Sequence, residues 1–566
     1  MNKPVWSVRA VRWFFRCAAV GLALAQTIAA RNGIDPDGRA YLELAGATLR
    51  HDWPMTVNAL WQPVYPWLLA LTLAISKPSL RWIFPAAHAL NFVVFCACIA
   101  AFEFFWKFVP ETAEKSSKES DALLPAVIWW TLGYSLFIWL TVGWVLPYAK
   151  PDLALMVVTL LEAALLLRIE ASEPPSWMLM IGFGTLLAIG YLTKAILFPV
   201  AFLFLGILLV SSRSRKYWGR IAVAAVFFVI FSTPEITLLS LSKGRLTYAD
   251  SGHLNLAWHD YGLPFRDWQG ERNSGTPVHP TRKIYDHPAV FEFNGPLRAS
   301  YPPWFDPSYW NEGLSPAFSL RTIAIHAARD LPTLVWVLVQ PKYWIACVIL
   351  LLLGAQARAT VVGIARRWDL LLISLAVFAV YCLTSIEPRY FPPWQMLFWA
   401  AILSGIHMRP NPNWRLYGPL VAVVAVALLG LTANGIRGQF LQGRHDDGSP
   451  DYTTAEGLRK MGVQPGEKVA AIGFDSDAYF AYLDGLSIVA EINTNDTCEF
   501  WQDSPSVQSD IMEKLKKAGV QVVVANTGGG VRSTSRKVPI DLAACFRPAA
   551  GWQQIEGGRN HVYFLQ

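Results

Sequence analysis

The sequence predicts a mainly α-helical, multi-spanning membrane protein followed by a small soluble α/β domain, and three observations predict it. Of 566 residues, 54% are hydrophobic and only 16% are charged, against about 25% in an ordinary soluble chain. The 25 tryptophans suit a membrane protein, because indoles settle at the membrane–water interface. The apolar residues also gather into runs near the roughly 20 residues needed to cross a bilayer, and these runs stop near residue 440.

The runs cover 11–30, 82–106, 122–146, 150–168, 176–192, 194–211, 218–241, 331–356, 368–386, 391–408 and 415–436. The first ends in Thr27-Ile28-Ala29-Ala30, small residues of the kind that close a signal peptide. With so many spans behind it, it reads as an uncleaved first helix. The segment 61–79 is short and opens with Pro63 and Pro66. Cytoplasmic loops carry the Lys/Arg excess, which decides its status. If it does not cross, the groups Lys3/Arg9/Arg12/Arg16, Lys107/Lys115/Lys118, Arg168, Arg213/Arg215/Lys216/Arg220, Arg358/Arg366/Arg367 and Arg409/Arg415 share the inner side. If it crosses, every later group moves outside. The segment therefore reads as a re-entrant or interfacial helix, leaving about 11 transmembrane helices.

The outer face then receives the first loop 31–81, the turns near 147–151 and 193, the large loop 242–330, the turn 387–390 and the C-terminal region. The organisation is a membrane domain over 1–439 and an outer α/β domain over 440–566. In the latter, helical patterns at 454–459 and 511–516 alternate with buried-strand patterns at 468–473 and 520–525, and 561–565 reads as a last strand. That alternation predicts a mostly parallel sheet. Gly528-Gly529-Gly530 reads as a turn, since no Gly-Lys-Ser/Thr follows it.

Ionisable residues collect on the outer side. Asp35 and Asp37 follow the first span and precede an amphipathic stretch, 40–50, of the kind that lies along the interface. Asp152 opens a span, Lys194 lies between two apolar helices, and Glu387, Arg389 and Tyr390 occupy one outer turn. Each alone is explained as a helix cap or a snorkelling side chain; their common side and mixed sign suggest one shared site. The large loop is rich in aromatics and prolines, including Trp258-His259-Asp260-Tyr261, Tyr301-Pro302-Pro303-Trp304 and Tyr309-Trp310-Asn311-Glu312-Gly313. It suits a carbohydrate or lipid-headgroup contact, or equally a packed cap.

His253, His259 and His279 match no metal-ligand spacing, and no Cys/His cluster occurs, so no metal site is predicted. A divalent metal requirement has no support in the sequence. Cys17, Cys96, Cys98, Cys347 and Cys382 lie in or beside apolar segments. Cys498 and Cys545 stand alone in the polar C-terminal region, a disulfide candidate if that region faces an oxidising compartment. The net charge of +7 is spread over short clusters between spans, which excludes nucleic acid as the expected partner.

At these residues the chain resembles the GT-C superfamily of polyprenyl-phosphate-sugar-dependent glycosyltransferases, among them protein O-mannosyltransferases, lipid A aminoarabinose transferases and rhizobial galacturonosyltransferases. Asp37 to Tyr41 resembles the family's acidic first loop, with an aromatic residue four positions on. Pro63-Val64-Tyr65-Pro66 looks like its proline-rich element, and Asp152 like its acid opening a later span. Thr193-Lys194 and Arg389-Tyr390 with Pro392 look like its later basic elements. Gly38 departs from the pattern, standing where many relatives have Glu, and leaves Asp35 as a second candidate acid.

The resemblance implies transfer of a sugar from a lipid-linked polyprenyl phosphate to an acceptor hydroxyl, with inversion. Asp37 would be the general base, with Asp35 the alternative. Lys194, Arg389 and Tyr390 would hold the donor phosphate, and Asp152, Tyr65 and Glu387 would position substrate. The implied partners are membrane lipid, the lipid-linked sugar and a glycan, lipid or protein acceptor. The implied location is a bacterial inner membrane, with the N-terminus cytoplasmic and the C-terminal domain periplasmic. A lipid or glycan transporter or flippase is the alternative reading. Transporters, however, place ionisable groups near the bilayer midplane, whereas these lie at one face.

Overall fold

In the computed structural model, residues 7–114, 123–211, 215–259, 281–293, 297–310, 319–443, 450–528, 530–531 and 540–565 are described. Asp260, Tyr261, His279, Asn311, Glu312, Gly313 and Gly529, and the inner-side Lys3, Lys115, Lys118 and Arg213, lie outside them. The membrane part is built from α1 (Val8–Ala30), α2 (Pro36–Leu49), α3 (Val64–Ser76), α4 (Ile83–Glu114), α5 (Ala126–Trp144), α6 (Asp152–Glu170), α7 (Trp177–Thr193), α8 (Leu197–Val210), α9 (Trp218–Lys243), α10 (Leu320–Leu338), α11 (Lys342–Leu353), α12 (Trp368–Cys382), α13 (Pro392–Ser404) and α14 (Trp414–Gly443). Among the described residues five stretches are long and apolar enough to cross a membrane: Val8–Ala30, Leu80–Pro110, Ala126–Trp144, Arg215–Lys243 and Trp414–Leu441. The protein is an integral membrane protein.

One expected span is not a single rod. The run 331–356 is divided between α10 and α11, which meet at 80°. Pro341 sits at the break and caps α11; it supplies no backbone N–H, and the residue before a proline avoids helical geometry. Several other expected spans are shorter helices, such as the 14 residues of α8 and the 13 of α13.

The ends of the helices sort onto two faces. His88 Nε2, near the start of α4, hydrogen-bonds the carbonyl of Gly33 just past α1 at 2.8 Å. The chain between them therefore begins and ends close together. Helix α3, within that excursion, has 13 residues and spans about 20 Å at 1.5 Å per residue, short of a hydrocarbon core of about 30 Å. At the other face, Arg12 Nη2 and Arg16 Nε of α1 each donate to Glu103 of α4 at 2.6 Å. Arg367, before α12, donates to the carbonyl of Val109 at 2.8 Å.

Close helix packing rests on small residues. A Cβ on Gly184 of α7 would stand 2.1 Å from the carbonyl oxygen of Ala224 on α9, so the two backbones touch. Gly184→Leu is expected to separate them and destabilise the fold by at least the roughly 1–3 kcal/mol of an overpacked core. The check is a lowered unfolding temperature of the detergent-solubilised protein.

Beside the long apolar helices, the described residues form a seven-stranded sheet. Its strands are β1 (Thr281–Tyr285), β2 (Val290–Phe293), β3 (Lys468–Ile472), β4 (Ser487–Ile492), β5 (Val522–Asn526), β6 (Gln553–Gln554) and β7 (Asn560–Phe564), in the order β1-β2-β4-β3-β5-β7-β6. The expected strands at 468–473, 520–525 and 561–565 are β3, β5 and β7. The sheet is mixed, however, rather than mostly parallel. Among the described residues only β4–β3 and β3–β5 pair in parallel, while β1–β2, β2–β4, β5–β7 and β7–β6 are antiparallel. Helical crossovers make the centre parallel, whereas one edge is a hairpin supplied by the large loop and the other a C-terminal hairpin. Cys498 and Cys545 are paired, with Cα atoms 5.3 Å apart.

Helix α2 joins the two parts. The stretch 40–50 was expected to lie along the interface, but Gly38 to Ala45 and Ala47 are buried. Helix α3, the short helix Pro302–Phe305 and the sheet domain all pack against α2. Arg39, 1% exposed, donates from Nη1 to the carbonyl of Ser476 at 2.7 Å. Arg81 grips Glu456 through two hydrogen bonds of 2.6 and 2.7 Å.

Candidate functional site

The first turn of α2 separates the roles of its two aspartates. Asp35 is the N-cap, its Oδ1 accepting from the Gly38 amide at 2.8 Å. Pro36 occupies the first helical position, where a missing N–H is tolerated. With one oxygen committed to the cap, Asp35 turns the other to Lys150. Asp37 lies inside the turn and points into an ion network. Its Oδ2 accepts from Lys150 Nζ at 2.7 Å and from Arg389 Nη2 at 3.0 Å, and its Oδ1 accepts from the Trp304 indole at 3.2 Å.

The partners come from chain ends at the same face. Lys150 stands in the turn between α5 and α6, and Asp152 is the first residue of α6, where the helix dipole favours an anion. Lys194 is the C-cap residue of α7, where the dipole favours a cation. The turn Pro388–Tyr390 delivers Arg389 between α12 and α13. Asp152 pairs with Lys194 through Oδ1 and with Arg389 Nη1 through Oδ2, the latter at 3.0 Å. Arg389 thus bridges Asp37 and Asp152, and three carboxylates meet three cations.

The network is shielded but open enough to be reached. Side-chain exposure is 2% for Asp152 and 6% for Lys150, against 16% for Asp37 and 21% for Lys194. Tyr390 lies against the cations, its ring centroid 4.0 Å from Lys194 Nζ, and its hydroxyl accepts from Arg389 at 3.2 Å. Burial alone would raise the Asp37 carboxyl, but Lys150 and Arg389 outweigh it and hold the group down at about 2. Asp37 is therefore ionised across the physiological range. Burial pushes Tyr390 up to about 12, so its hydroxyl stays neutral.

The structure brings together Asp35, Asp37, Asp152, Lys194, Arg389 and Tyr390. Tyr65 borders the network without bonding to it: it is 1% exposed, its hydroxyl donates to Asn91 at 2.8 Å, and its ring is edge-on to Tyr41 at 5.3 Å. Glu387 is exposed and helps through its carbonyl, which accepts from the Tyr390 amide at 2.9 Å. Two members were not singled out from sequence. Lys150 stands two positions before Asp152, a signal its outer-face turn already carried. Trp304 belongs to the aromatic loop and is brought to Asp37 only by the tertiary fold. Among the described residues no group of three or more His, Cys, Asp or Glu is arranged to hold a metal ion.

No family model matches the chain, and no curated protein matches it by sequence. Among solved structures, it is similar to ArnT. The structure of ArnT from Cupriavidus metallidurans bound to undecaprenyl phosphate aligns with a TM-score of 0.49 and 13% identity, covering 97% of each chain. Its apo state aligns with a TM-score of 0.47 and 14% identity, over 95% of this chain and 99% of that one. The oligosaccharyltransferase AglB from Archaeoglobus fulgidus, in complex with an inhibitory peptide and a dolichol-phosphate, aligns with a TM-score of 0.47 and 13% identity, over 91% of this chain and 69% of that one.

Proposed function

We propose that the protein is an integral membrane glycosyltransferase of the GT-C kind. It transfers a sugar from a polyprenyl-phosphate-linked donor to an acceptor hydroxyl on the outer, periplasmic face, with inversion. The observation that carries this reading is Asp37 held by Lys150 and Arg389, with Arg389 and Lys194 both on Asp152, where four helix ends meet. The acceptor oxygen attacks the anomeric carbon as its proton passes to Asp37, and the bond from that carbon to the phosphate oxygen breaks. The electron pair leaves with the polyprenyl phosphate, which departs charged and needs no general acid.

The cations have capacity for that charge. Arg389 has five N–H donors and Lys194 has three. The contacts above use three of the former and one of the latter. The remaining donors suit a phosphate that gains negative charge as the sugar leaves. Proteoliposomes carrying a labelled donor lipid test the reading. Cleavage of the sugar–phosphate bond with release of polyprenyl phosphate is the expected result; movement of intact lipid between leaflets without cleavage would indicate a transporter instead.

The orientation belongs to the same proposal. Lys107, Arg168, Arg366, Arg367 and Arg409 lie toward or between helix ends other than those that carry the ion network, and under the positive-inside rule those ends are cytoplasmic. Single cysteines replacing Lys107 or Arg366 are expected to react only with membrane-permeant reagents in intact cells. One replacing Ser504 is expected to react with an impermeant reagent once the outer face is accessible; the opposite pattern would invert the topology.

A further inference from the structure

The lone pairs of Asp37 are unevenly used. Each carboxylate oxygen offers about two acceptor positions. Oδ2 spends both, on Lys150 at 2.7 Å and Arg389 at 3.0 Å. Oδ1 spends one, on the Trp304 indole at 3.2 Å. Among the described residues a single acceptor position therefore remains on Asp37, on the oxygen that Trp304 holds. Resting on the transferase reading, we infer that Trp304 is a positioning residue that aims Asp37 Oδ1 at the acceptor hydroxyl, so that the acceptor enters beside the indole.

The indole is itself held from several sides, so its N–H has a fixed direction. Its ring stacks on Trp258 with centroids 5.9 Å apart and lies 6.3 Å from that of Trp61. The short helix carrying it, Pro302–Phe305, is tied down at both ends. Before it, Tyr301 donates to both oxygens of Glu491 at 3.0 and 2.9 Å, and the Ser300 carbonyl accepts from the Ile488 amide at 2.9 Å. At its end, the Phe305 carbonyl accepts from Asn58 Nδ2 at 2.8 Å and from the Trp61 indole at 3.0 Å. Ser300 also donates to Glu43 of α2, so the helix bearing the base and the segment bearing the indole are cross-linked. Glu491 lies in β4. The sheet domain thus sets the direction of the base through Trp304, a role for a domain whose described residues offer no acid or base to the ion network.

Trp304→Phe keeps a ring against Trp258 and deletes only the N–H. Full-length protein in nanodiscs is assayed with undecaprenyl-phosphate-linked aminoarabinose, galacturonic acid and mannose, against lipid A and a Ser/Thr peptide as acceptors. With a pair that the wild type turns over, Trp304→Phe is expected to lower kcat about tenfold, the scale of one hydrogen bond. The donor KM should be unchanged, and the acid limb of kcat/KM should move to higher pH. Trp61→Phe, which removes an indole N–H from the same wall but not from Asp37, should leave that limb in place. A folded Trp304→Phe protein with wild-type kcat and limb overturns the proposal while the transferase reading stands. If the wild type turns over no donor, the transferase reading fails separately, and pH-difference infrared spectroscopy decides the contact. The carboxyl band lost in Asp37→Asn should titrate at higher pH in Trp304→Phe; an unmoved midpoint overturns the proposal.

Discussion

Asp37→Asn is expected to lower turnover by about 100- to 10,000-fold, the usual contribution of a positioned general base. The substitution is isosteric, and an amide oxygen still accepts from the Trp304 indole, so the wall of the site stays in place. What is lost is the charge that receives the proton and balances Lys150 and Arg389. Lys150 keeps Asp35 as a partner, which limits the structural damage. Donor-lipid binding should therefore persist while chemistry fails, so kcat falls far more than KM rises. Asp35→Asn is the informative contrast. Asparagine caps helices about as well as aspartate, and the Oδ1 cap is the main role of Asp35, so its loss should stay within about tenfold. The reverse ranking of the two variants would move the base to Asp35.

Arg389→Ala is expected to be at least as severe, with a loss of about 100-fold or more from the missing donors to the leaving phosphate and a raised donor KM. It should also destabilise the protein, because Asp152 is 2% exposed and would keep only Lys194. Breaking a buried ion pair costs about 3–5 kcal/mol, and the 13% exposure of Arg389 places this case at the lower end. Arg389→Lys should not restore activity. A guanidinium reaches Asp37 from one nitrogen and Asp152 from the other, both at 3.0 Å, and an ammonium is a single point on a flexible stem. Recovery of most activity in Arg389→Lys would argue that only charge is needed there.

The site residues were legible because hydropathy and charge can be read together. Asp37, Asp152, Lys194 and Arg389 stand at helix ends that counting the spans assigns to one face, and they meet in the structure. Lys150 was hidden by proximity: in a turn beside a proline and an aspartate it looks like ordinary loop composition. Trp304 was hidden by distance, since its bond to Asp37 joins residues 267 positions apart. Among the described residues, Tyr65 and Glu387 make no side-chain bond to the ion network: Tyr65 spends its hydroxyl on Asn91, and Glu387 is exposed.

The fold shows the same division. Strand and helix patterns in the C-terminal region were local and survived. The pairing of β2 with β4 was not visible, because it links residues about two hundred positions apart through backbone bonds that any side chain permits. The break between α10 and α11 was written in Pro341, but the apolar run on either side of it concealed the change of direction.

In the proposed reaction Asp37 accepts a proton from an acceptor hydroxyl as a sugar leaves polyprenyl phosphate. The most direct test is a single assay of purified wild type and Asp37→Asn in nanodiscs, following donor, polyprenyl phosphate and glycosylated acceptor together. Equimolar phosphate lipid and product of inverted anomeric configuration are expected from the wild type, and almost none from the folded variant. Equal yields from both proteins would contradict it.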